Sequence, residues 1–164
     1  MIFVTVGTHE QPFNRLIKKV DDLVADGSIK DEVIMQTGFS TYKPKHCKWQ
    51  KMMSYDEMQQ NLKDARIVIT HGGPSSFIEA LQFEKIPIVV PRQKKFHEHV
   101  NNHQVEFTKL IAERMNNIIP VYDIEQLAEL IKNYDEIVKT KNAGKSSNNS
   151  KFNKQLERIA EELI

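Results

Sequence analysis

The chain has 164 residues and a formal net charge of +1, with 40% hydrophobic and 27% charged residues. This length suits one domain with a sizeable core, and the near-neutral balance argues against nucleic acid as a partner, since dedicated nucleic-acid binders are strongly basic. One cysteine, Cys47, leaves no internal disulfide and no cysteine zinc cluster, and points most simply to the cytoplasm.

The first apolar run, residues 2–6, reads as a buried strand ending at Gly7-Thr8-His9. It is far too short to span a bilayer, and no signal-peptide pattern precedes it, so membrane association is expected only through a partner or a surface helix. A helix is predicted over 12–25, strands over 33–36 and 47–52, a helix over 55–65 and a strand over 67–70. Trp49 and Tyr55 read as core residues, and Thr8 as a turn former. After His71-Gly72-Gly73 come a helix over 74–83, a strand over 88–90, and helices over 98–112 and 124–138. Residues 139–150 are polar, small and basic, the composition of a flexible linker. In residues 151–164, Phe152, Leu156, Ile159, Ala160 and Leu163 recur at helical spacing.

Short apolar strands alternating with amphipathic helices predict an α/β, Rossmann-like fold, a mostly parallel sheet with helices on both faces. Ligands in such sheets sit beyond the carboxyl ends of the strands, so Gly7-Thr8-His9 and His71-Gly72-Gly73 are expected on one edge. The second of these turns opens a helix at Pro74 and is followed by Ser75 and Ser76. The first amides of a helix lack internal partners and its dipole makes that end positive, so the pattern is a natural cradle for phosphate. Glycines let the backbone approach closely, and proline at the first helical position loses no needed donor. Glu79 stands one turn beyond Ser75, within reach of a ribose hydroxyl beside the phosphates. His9, just after the first strand, is the candidate for acid–base chemistry. His97, His99 and His103 have ordinary spacing with no Cys or Asp to complete a set, so no metal is expected. Lys94 and Lys95 read as solvated surface, whereas Arg92 at a strand end could face phosphate.

These motifs resemble the donor-binding half of a GT-B glycosyltransferase, the C-terminal domain of the glycosyltransferase 28 family. The resemblance is carried by Met1-Ile-Phe-Val-Thr-Val-Gly-Thr-His-Glu-Gln-Pro-Phe13, by His71-Gly-Gly-Pro-Ser-Ser76 with Glu79-Ala-Leu81, and by Pro87 to Arg92 with His97 to Gln104. It is specific over roughly residues 1–115, and similar most of all to the small split enzymes of bacterial capsule and exopolysaccharide synthesis and to the eukaryotic Alg13 subunit. The resemblance implies that Thr8, Gly72, Gly73, Ser75 and Ser76 hold a diphosphate and that Glu79 holds ribose. Glu98, His99, Asn102, His103 and Gln104 would include the contacts to the sugar, and the choice between His99 and Gln104 stays open. Pro74 departs from the pattern, standing where many relatives carry a small flexible residue. The lack of an Asp-X-Asp pair suits a metal-independent mechanism, and the resemblance implies inversion, with no cofactor expected.

The same resemblance implies a UDP-sugar donor, with galactose as the favoured hexose. The acceptor would be a lipid-linked saccharide, presented by a membrane-anchored acceptor-domain protein (Alg14-like) that holds this chain at the inner face of the membrane. Residues 1–138 would then be the nucleotide-sugar-binding domain. The apolar stripe of 151–164 packs either on its own domain or on that partner, and the crossing final helix of complete GT-B enzymes favours the partner. Two other classes compete: a non-catalytic nucleotide-sugar-binding or regulatory subunit, and a dinucleotide enzyme. The latter is disfavoured because no G-X-G-X-X-G follows the first strand.

Overall fold

A computed structural model describes residues 1–141 and Arg158. Six parallel strands form one sheet in the order β3-β2-β1-β4-β5-β6. They are β1 (Ile2–Thr5), β2 (Val33–Gln36), β3 (Lys48–Gln50), β4 (Ile67–His71), β5 (Ile88–Val90) and β6 (Ile119–Pro120). β1 lies at the centre, with Ile2 opposite Val33 on one side and Ile67 on the other. Every residue of β1, β4 and β5 is buried, as expected of parallel strands covered on both faces.

Strand alternation divides the core in two. Ile2, Val4, Ile67, Ile69, Ile88 and Val90 face a helix α1 (Asn14–Ala25), which contributes Leu16, Ile17, Val20 and Leu23. On the same face lie α5 (Leu127–Lys132) and α6 (Tyr134–Val138), through Leu127, Ile131 and Tyr134. Phe3 and Val68 point the other way, onto Leu62 of α2 (Tyr55–Asp64) and Ala80 of α3 (Pro74–Gln82). Val89 meets Phe77 and Leu81 of α3 and Phe107 and Ile111 of α4 (His103–Met115). α2 begins where its sequence says it should: the Ser54 hydroxyl accepts the Glu57 amide at 3.2 Å.

Several boundaries differ from the sequence expectation, each for a local reason. The helix expected over 98–112 starts only at His103 and runs to Met115. Its first residues are diverted by side chains: Asn101 Oδ1 accepts the His103 amide, Asn102 Oδ1 accepts the Lys94 amide, and the Glu98 carboxylate is drawn inward. The helix expected over 124–138 is a 3-10 turn at Ile124–Gln126 followed by α5 and α6, interrupted at Asn133. Tyr134 there turns into the core to donate to the Ile86 carbonyl at 2.7 Å. The strand expected over 47–52 shrinks to Lys48–Gln50, and β6, only two residues long, carries no periodicity to read. Tyr55, read as core, is 73% exposed, whereas Trp49 is half-buried against the core. The linker and terminal-helix readings fall outside the described residues, except for residues 139–141 and Arg158.

Asp21, on the buried side of α1, pins the segment between β2 and β3. Its carboxylate accepts the Tyr42 hydroxyl at 2.7 Å and the Lys45 and His46 amides. Burial alone would raise its pKa, but these donors more than offset it and hold the group below the usual carboxylate value. A depressed folded pKa stabilises the protein above the unfolded value of about 4, and that contribution is lost as pH falls through the folded one. Asp21→Asn should therefore cost about 1–3 kcal/mol near neutral pH, with the deficit narrowing below about pH 4, as read by urea unfolding at both pH values.

Candidate functional site

β1 and β4 are neighbours, yet β1 leads to α1 on one face and β4 to α3 on the other. The two loops part at their carboxyl ends and leave a crevice there, at the switch point where such sheets bind ligands. Gly7, Thr8 and His9 line it from the first loop, and His71, Ser75, Ser76 and Glu79 from the second. Met52, Met53, Tyr55 and Met58 form a more apolar wall, and the cleft volume is about 280 Å³.

The first loop is shaped by Gln36 at the end of β2. Its side-chain Oε1 accepts the Thr5 hydroxyl and the Gly7 amide, while Nε2 donates to the carbonyls of Gly7 and Lys51, both at 3.0 Å. The second loop is built on His71, a buried ring whose Nε2 lies 2.8 Å from the Ser76 hydroxyl and whose Nδ1 accepts the Gly73 amide at 3.1 Å. Burial, with Arg92 nearby, pushes His71 down to about 3, so the ring is neutral at physiological pH. Gly7 takes φ +74°, and a Cβ there would stand 2.4 Å from His71 Nε2.

Glu79 is the one carboxylate lining this cleft, and among the described residues it has no hydrogen-bond or ion-pair partner. Its half-buried carboxyl is raised above the usual value by desolvation. An anionic acceptor held partly dry and unpaired is suited to a ligand that brings hydroxyl donors.

The pattern of the glycosyltransferase family 28 C-terminal domain matches residues 1–163. The chain belongs to this family. It is also 31% identical over 119 residues to the "UDP-N-acetylglucosamine transferase subunit ALG13" of Mus musculus. That match covers 65% of this chain and only 9% of the relative's length. Its fold is similar to that of the glycosyltransferase SnogD from Streptomyces nogalater, with a TM-score of 0.50 at 15% identity, covering 98% of this chain and 39% of that one.

Within this glycosyltransferase 28 domain, the expected site residues fall into three groups. Thr8, His9, Ser75, Ser76 and Glu79 line the cleft together. His99 joins at its margin, its ring stacked on His9 with centroids 4.3 Å apart. The remaining residues act behind or beside it. The Gly72 amide is committed to the Gln104 side-chain oxygen and the Gly73 amide to His71, so neither is a free phosphate donor. Gln104 is itself buried by that bond and by a second from the Arg92 amide. Glu98 is 2% exposed, its carboxylate held by Arg15 at 2.9 and 3.0 Å, while Asn102 and His103 lie exposed outside the cleft. Arg92, expected near phosphate, is fully buried and donates to the carbonyls of Val6, Gln11 and Glu98.

Sequence reasoning missed Gln36 and His71 as builders of the site. The signal for His71 was there, a histidine abutting two glycines, but only the fold shows that the second of them, Gly73, makes room for its ring. Gly73 has φ −72°, so a positive φ is not the reason for glycine; an added Cβ would stand 2.2 Å from His71 Cε1. Gly73→Ala should therefore displace His71 and destabilise the domain by roughly 1–3 kcal/mol, as overpacking does. Thermal unfolding measures the cost, and the chemical shifts of the His71 ring report the displacement.

Proposed function

We propose that this chain is the donor-binding subunit of a glycosyltransferase that takes a UDP-sugar into the cleft between the β1 and β4 loops. The observation that carries this reading is the Glu79 carboxylate, unpartnered among the described residues and placed one helical turn from Ser75 and Ser76 at the start of α3. Glu79 accepts the ribose hydroxyls, and the serine hydroxyls and the positive end of α3 meet the diphosphate. Negative charge develops on that diphosphate as the bond to the anomeric carbon breaks, so the same donors stabilise the leaving group without a metal. The acceptor hydroxyl attacks from the opposite face with inversion. His9, stacked on His99 and hydrogen-bonded to Gln11 at 2.9 Å, stands at the cleft as a candidate for proton transfer.

The sugar is a hexose, with galactose favoured by the resemblance to capsule and exopolysaccharide enzymes, while the mouse relative is named for UDP-N-acetylglucosamine. The acceptor is a lipid-linked saccharide. A cleft of about 280 Å³ is at the lower limit for a small-molecule site, which supports a second, membrane-anchored, Alg14-like protein that completes it and brings the acceptor. No helix among the described residues is long and apolar enough to cross a membrane, so attachment at the inner face would come through that partner.

Glu79→Ala should weaken UDP binding by about 1.5–3 kcal/mol with the fold intact, measured by calorimetry, and unchanged affinity would take Glu79 out of the site. A second experiment addresses the tail, whose apolar stripe is proposed to dock on the partner. A chain ending at residue 150 should still bind UDP but neither co-purify with the partner nor support transfer. The full chain with its partner should transfer sugar in excess chelator, and loss of activity restored by magnesium would exclude the metal-independent route.

A further inference from the structure

Resting on the donor-site reading above, we infer that His71 is a positioning residue which makes the Ser76 hydroxyl an obligate hydrogen-bond donor toward the diphosphate. The inference starts from which nitrogen of the ring carries the proton. A backbone N–H can only donate, and the Gly73 amide points at Nδ1 at 3.1 Å, so Nδ1 must be the bare nitrogen. Gln104 agrees independently. Its side-chain oxygen accepts two backbone amides, those of Gly72 and Arg92, both at 3.0 Å, which fixes the orientation of the group. The other end, the NH₂, is thereby aimed at the same Nδ1 at 3.3 Å.

With the one Nδ1 lone pair shared by two donors, the single ring proton of neutral His71 resides on Nε2. Nε2 lies 2.8 Å from the Ser76 oxygen, so the histidine donates and the serine accepts. A serine hydroxyl has one hydrogen of its own, and with this lone pair occupied that hydrogen is turned away from the ring. Ser76 lines the cleft, so its hydrogen is available to an anion there. Had the ring carried the other tautomer, Ser76 would spend its hydrogen on Nε2 and offer the phosphates only lone pairs, which repel. The ring itself is held from both loops, since side chains at Gly7 and Gly73 would each collide with it. A neutral ring is required throughout, and burial keeps it so.

Two measurements test this. Nitrogen-15 NMR of the labelled full chain, without any nucleotide, should show His71 as the Nε2–H tautomer that does not titrate between pH 5 and 8. An Nδ1–H ring, or titration in that range, would overturn the inference whatever the protein binds. Calorimetry with UDP and UMP then tests the coupling. Ser76→Ala should weaken UDP roughly 10-fold or more, with UMP affected less. His71→Phe should lose a similar factor, the double variant should lose no more than either single one, and His71→Gln, which keeps an N–H donor, should recover part of it. Additive losses would show that His71 acts apart from Ser76. Failure of the unmodified chain to bind UDP would instead overturn the donor reading, and the tautomer measurement would still decide the state of the ring. Should His71→Phe unfold the protein, His71→Gln in the Ser76→Ala background carries the same cycle.

Discussion

The carboxyl edge of this sheet is held together by one buried cation. Arg92 is fully enclosed, and its guanidinium donates to the carbonyls of Val6 and Gln11 on either side of the β1 loop and of Glu98 in the loop after β5. It also lies over the Phe13 ring at 5.0 Å. Taking such a charge out of water costs several kcal/mol, and the burial is felt: its pKa is pushed down to about 10, and Nε has no partner among the described residues. What the cost secures is geometry. Thr8 and His9 lie within the segment fastened at Val6 and Gln11, and His99 follows directly on Glu98. The stacking of His9 on His99 is thus the visible result of a clamp that neither ring belongs to.

A second tier of buried polar groups supports the first. Arg15 holds the Glu98 carboxylate and also donates to the Pro91 carbonyl, while Glu98 accepts the Gln93 amide. Gln36 and Gln104 do comparable work on the two sides of the cleft, each tying two loops through one amide side chain. Loops at the carboxyl edge have no regular ladder to satisfy their amides, and these side chains replace it. A site assembled this way is rigid before any ligand arrives, which reduces the ordering needed on binding.

Much of this was legible in the sequence, and what was not has a common cause. β2 and β5 coincide with their apolar runs, and α3 begins at Pro74 as proline at the first helical position requires. The cleft residues Ser75, Ser76 and Glu79 follow from that helix start by counting along it. The roles of Glu98, Gln104 and Arg92 could not be counted out, because each depends on a partner far away in the chain: Arg15, Gly72 and Val6 respectively. A polar residue in a loop reads the same whether it greets a ligand or satisfies a buried amide. Only the fold brings the competing partner within 3 Å, and in this protein the partner wins at all three positions.

The exposed apolar side chains are also gathered at this carboxyl edge. Phe39, Met52, Tyr55, Phe96 and Val100 are the exposed large hydrophobic residues among those described, at 44–73% exposure. Phe39 follows β2, Met52 and Tyr55 follow β3, and Phe96 and Val100 follow β5, so all five stand beyond the carboxyl ends of the strands. Scattered exposed apolar groups are ordinary on a protein surface, but here they are confined to the edge that carries the cleft. Among the described residues, Tyr55 at the start of α2 is the only one of them on an α-helix. Polar clamps fix the backbone of this edge while its apolar side chains stay uncovered, a division that suits a preformed half-site awaiting a second surface. Under the proposed function, that second surface belongs to the acceptor-binding partner.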